Sequence, residues 1–80
     1  MSKEYYRKKL IDLRLQISRE REAKKRDNES YSRMIKSAQS ASSKAALRKS
    51  KISRSESHSR EIERLQREVA RVQYEKARAR

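Results

Sequence analysis

Eighty residues contain neither a glycine nor a proline. Those two residues punctuate most tight turns, glycine by tolerating positive φ and proline by fixing φ near −65°. A sandwich or an α/β fold strings together many such turns, so a chain lacking both is restricted to a few long elements. Ala, Glu, Lys, Arg, Gln and Leu are abundant, and these residues favour helix. The expected fold class is all-α.

How thick that fold can be follows from its apolar content. Hydrophobic residues make up 32% of the chain and charged residues 44%, with no Phe or Trp. A short chain this polar cannot bury a sizeable core of its own. It must be thin and elongated, or take burial from a partner or from copies of itself. A disordered basic chain has a similar composition, so periodicity has to decide.

Periodicity favours helix. Tyr6, Leu10, Leu13 and Ile17 are spaced four, three and four apart, which places them on one helical stripe. The same phase continues through Glu20, Lys24 and Asp27 to Tyr31, Met34 and Ala38. In the last third Ile62, Leu65, Val69 and Val72 form a second stripe, followed in phase by Lys76 and Ala79. Traced backwards, that stripe reaches His58, Ser55 and Lys51, with the apolar Ile52 one position off. The offset predicts local overwinding or unwinding near the serines.

The two stripes are reflections of one another. Leu10 pairs with Val72, Leu13 with Val69 and Ile17 with Leu65 about a mirror point at Ala41. The reflection also sets Lys24 against His58, Asp27 against Ser55 and Tyr31 near Ile52, with Glu20 opposite Ile62 as the one mismatch. This predicts a single domain over 1–80, an antiparallel two-helix hairpin in coiled-coil packing. Helix is expected at about 3–39 and 44–80, with a turn at about 40–43 whose serines cap the second helix. The hairpin interface is Tyr6, Leu10, Leu13, Ile17, Tyr31, Ile52, Ile62, Leu65, Val69 and Val72. The alternative is one continuous helix of about 120 Å in a parallel coil. Either way, Glu4–Lys8, Glu22–Arg26, Glu29–Arg33, Glu56–Arg60 and Glu63–Arg67 have the favourable acid-before-base spacing of four.

Little in the chain can carry chemistry. There is no cysteine and one histidine, His58, which reads as a polar layer residue of the coil. A phosphate-cradling loop needs glycine. The expectation is a non-enzyme without cofactor, metal or catalytic residue. No apolar run approaches the roughly 20 residues of a membrane span, and "MSKEYYRKKLIDLRLQ" lacks the apolar core of a signal peptide. Cytoplasmic residence is expected.

Two surfaces remain. The net charge is +13, and no acid lies between Glu29 and Glu56. Lys44, Arg48, Lys49, Lys51 and Arg54 would form a basic patch at the hairpin tip. A basic nucleic-acid-binding helix pair is therefore the second reading, although no aromatic lies in the patch to stack bases. The stretch "SRSESHSR" looks like an RS segment but is short and flanked by near-phase isoleucines. Separately, Tyr5, Ile11 and Leu15 are surplus to what one helix partner can cover. They form an expected outward interface for a homo-oligomer or a helical partner, extending to a larger bundle or filament.

The stretch "SSKAALRKSKISRSESHSREIERLQREVARVQ", after a basic helix bearing tyrosine and leucine, resembles the N-terminal coiled-coil region of bacterial TIR-domain immune proteins. The likeness rests on a serine-punctuated helix start, "KISRSE", and a charged coil ending "LQREVARVQ", and it spans most of the chain. It implies an assembly segment beside a NAD-cleaving domain used in antiphage defence. No catalytic residue carries over, because there is no room here for that domain. The helix-forming "YEKARAR" leads to the expectation of either a coil that continues in a longer protein or a helix that continues into a neighbour.

Overall fold

A computed structural model describes residues 2–79 as two helices, α1 (Lys3–Ser37) and α2 (Ala41–Arg78), packed against each other as an antiparallel hairpin. The rod measures 62 × 14 × 11 Å. That length is half of what a continuous helix would span, so the reflected stripes do close on each other. Accessible surface totals 6266 Å², against roughly 5,100 Å² for a compact monomer of this mass. The hairpin is lean.

The reversal takes place without any left-handed residue. Ala38 ends α1 at φ −66°, ψ 139°, and Ser40 stands at φ −126°, ψ 157°. No described residue has positive φ. Extended backbone at 38–40 turns the chain, and so glycine is not needed. Ser40 is the N-cap of α2: its Oγ accepts from the Ser43 amide at 3.1 Å, and its carbonyl accepts from the Lys44 amide at 3.1 Å. The turn thus sits before the expected 40–43, and α2 begins at Ala41 instead of residue 44. One serine is enough to cap the helix, which lets Ser42 and Ser43 enter its first turn. α1 ends at Ser37, short of residue 39, and residue 80 of the expected second helix lies outside the described residues. Ser40→Ala is expected to cost about 1 kcal/mol and to lower the melting temperature by roughly 4–8 °C. An unchanged melt would contradict this role.

Leu10, Leu13, Ile17, Leu65 and Val72 are the buried core, with Tyr6, Ile62 and Val69 packed half-buried against it. All eight lie in the open half of the rod, where the chain ends meet. Tyr31 is half-buried nearer the tip. Ile52 departs from expectation, being 59% exposed. The helix keeps its regular phase through His58, Ser55 and Lys51, each half-buried, so Ile52 falls outside the seam. Lys51 can occupy the seam because its long stem lies along it while Nζ donates to Ser32 Oγ at 3.0 Å. α2 runs through this stretch as one uninterrupted α-helix.

None of the five expected acid-to-base pairs at spacing four is among the ion pairs of the described residues. The bonds formed instead are Glu4–Arg7, Glu61–Arg64 and Glu68–Arg71 at spacing three, and Arg71–Glu75 at four. Exposed pairs of this kind differ by only tenths of a kcal/mol, so spacing alone does not select among them.

Candidate interaction surfaces

The polar middle of the seam is organised around His58. Its Nδ1 lies 2.5 Å from Glu20 Oε1 and its Nε2 lies 2.6 Å from Asp27 Oδ2. A neutral imidazole has one N–H, so only the charged ring donates to both carboxylates. The hydrogen bond to Asp27, and then that to Glu20, raises the His58 pKa above its ordinary value. The same bond holds the Asp27 pKa down, aided by the Arg54 guanidinium 3.6 Å away. Lys24 lies between the two acids in sequence and donates from Nζ to Ser59 Oγ at 2.9 Å.

His58 thus stands level with Lys24, as the reflection pairs them, but its ring bonds the acids on either side. Glu20 and Asp27 are one heptad apart on α1, and the ring reaches both across the intervening turn. The mismatch of Glu20 with Ile62 disappears for the same reason. Composition could have pointed here, because His58 is the only titratable group of intermediate pKa facing two acids in phase.

The structure brings part of the expected tip patch together, Arg48 with Lys51, and sets Lys49 apart. Lys51 is turned into the seam and Arg54 is engaged by Asp27. Lys44 is half-buried beside the turn, while Arg48 and Lys51 border one open groove of about 610 Å³ with Ile35, Ile52 and Glu56. Lys49 projects from another side of α2, about 100° of helical rotation from Arg48.

The outward residues are exposed. Ile11 is 61% and Leu15 46% accessible, one turn apart on α1 in the same stretch that gives Leu10, Leu13 and Ile17 to the core. Tyr5 is also exposed and meets Tyr6 edge-on at 5.4 Å. Tyr74 of α2 adds a further exposed aromatic near this end, with the Arg78 guanidinium over its ring.

The two open faces of the hairpin differ in charge: one is purely basic along its grooves and the other mixes glutamates with Lys9, Arg64 and Arg71. On one, Arg7, Arg14 and Arg21 border two shallow grooves of about 360 and 370 Å³, and no Asp or Glu lines either. Across those grooves α2 presents Gln66 and Gln73. On the other face α2 carries Glu61, Glu68 and Glu75, held by Arg64 and Arg71. Sequence reading missed both rows, although each repeats every seven residues.

Among the described residues no cluster of His, Cys, Asp and Glu could hold a metal ion, and no helix is long and apolar enough to cross a membrane. Comparison with protein-family models, with curated proteins and with solved structures yields no match.

Proposed function

We propose that this chain is a non-enzymatic coiled-coil module whose work is self-association. The observation that supports it best is the pair Ile11 and Leu15, exposed on α1 beside a core that the hairpin has already completed without them. A lean hairpin with surplus aliphatic surface gains most by covering that surface with a copy of itself. Burying one such side chain is worth roughly 1.5–3 kcal/mol. On the resemblance of its second helix, the module serves as the assembly segment of a bacterial immune effector of the TIR type.

Sedimentation velocity over a concentration series tests this. The wild type is expected to assemble, and the double substitution Ile11→Asp, Leu15→Asp is expected to sediment as a helical monomer. A wild-type hairpin that stays monomeric at every concentration, with full helicity, would overturn the reading.

A further inference from the structure

The self-association proposed above leaves open which surfaces meet. Arg7, Arg14 and Arg21 follow a strict interval of seven, as do Glu61, Glu68 and Glu75. At 1.5 Å per residue each row has a repeat of about 10.5 Å. An antiparallel hairpin need not place two such rows level, because their register depends on where the turn falls. Here it does place them level. Arg7 shares a groove with Gln73 and Lys76, which flank Glu75. Arg14 shares one with Gln66 and Gln73, which bracket Glu68. His58 bonds both Glu20 and Asp27 and so stands level with their midpoint, beside Lys24; three residues farther along, Glu61 stands level with Arg21. The three arginines and three glutamates therefore stand at matching heights on opposite faces.

We propose that hairpins associate face to back, with the basic face of one copy taking the glutamate edge of the next copy's α2. Moving a copy sideways without sliding it along the rod brings each arginine level with one glutamate. Arg14 and Arg21 make no ion pair among the described residues, so they are available. The glutamates are partly engaged by Arg64 and Arg71, and Lys9 of α1 lies near Glu68 and Glu75, but a carboxylate accepts more than one donor. Ile11 borders the same groove as Arg7 and Arg14, so aliphatic contact and ion pairs fall in one interface. The basic grooves also carry apolar residues, Leu10 in one and Ile17 and Val69 in the other.

The two faces differ, so the contact is heterologous and propagates as a row or closes as a ring. The charge of +13 opposes stacking at long range. Screening confines that repulsion to about 8 Å at physiological salt, while contacting pairs persist. Charge complementarity then sets register more than strength.

The experiment is a charge exchange, read by sedimentation at physiological salt with helicity checked by circular dichroism. Arg7→Glu, Arg14→Glu, Arg21→Glu is expected to weaken assembly roughly tenfold or more. Glu61→Lys, Glu68→Lys, Glu75→Lys is expected to do the same. An equimolar mixture of the two triple variants is expected to assemble again, since each then meets a complementary face. If the lysine variant loses helicity, the Glu→Gln triple replaces it and is expected to weaken assembly. Wild-type-like assembly by the arginine variant, or no recovery on mixing, overturns this arrangement and leaves self-association through Ile11 and Leu15 standing. A monomeric wild type overturns both. A wild type that binds an oligonucleotide through Arg7, Arg14 and Arg21 in place of its own copies makes the basic face a phosphate track, which also overturns it.

Discussion

Leu65→Ala is expected to lower the melting temperature of the hairpin by at least about 10 °C and to leave a large unfolded fraction at ambient temperature. Leu65 is 3% exposed and belongs to a core of five buried side chains. Truncating a buried leucine costs about 2–5 kcal/mol, from lost transfer energy and the cavity left behind. A chain of this length has roughly 4–12 kcal/mol in total, and a lean rod belongs at the lower end. Each kcal/mol moves the melting point of so small a domain by roughly 4–8 °C. Leu13→Asp should be more severe still, because it places an unpaired carboxylate in the same core. Val69, half-buried, should tolerate Ala better than Leu65 does, and Leu15→Ala should change the monomer's stability by less than about 0.5 kcal/mol. Melting at one low protein concentration keeps assembly from masking the differences. A Leu65→Ala melt within a few degrees of wild type would contradict this account of the core.

The contrast between Leu65 and Ile52 shows what the sequence could reveal. Leu10, Leu13, Ile17, Leu65 and Val72 are legible because apolar type and helical phase agree, and the reflection between the stripes then places one against the other. At Ile52 type and phase disagree, and phase prevails: a regular helix cannot move one residue into the seam without distorting its neighbours. Residue type misleads at Lys51 as well, since its stem can lie in a seam while its ammonium finds Ser32. The turn was misplaced by about three residues because four serines near it are all plausible caps, and local propensity does not rank them. In the basic patch, Lys44, Arg48 and Lys51 share a helix face and Arg48 and Lys51 do line one groove, whereas Lys49 is turned about 100° from Arg48. The Arg7–Arg14–Arg21 row follows the helical period and was legible in principle, but a search for apolar stripes passes over charges.

The polar waist gives the hairpin a pH dependence whose sign is set by His58. Its pKa in the folded state lies above the roughly 6.5 of a free imidazole, through the bonds to Asp27 and Glu20. The stabilisation is therefore complete below about pH 6.5 and is lost as pH rises through the folded value, where one of the two N–H donors disappears. Asp27 sets the opposite limb. Its pKa is lowered, first by His58 and then by Arg54, so its contribution is present above the ordinary carboxylate value and is lost as pH falls through the depressed one. Other charges near the ring do not reverse this: Lys24 is tied to Ser59, and Arg54 acts on Asp27. Thermal melts should thus be highest near pH 5–6, fall toward pH 9, and fall again in acid. In His58→Gln the alkaline decline should vanish, because an amide does not titrate, and the melting temperature near pH 6 should drop toward the wild-type value at pH 9. An alkaline decline that persists in His58→Gln would assign it to another group. A wild-type melting temperature flat from pH 6 to pH 9 would mean that the ring does not bridge Glu20 and Asp27 in solution.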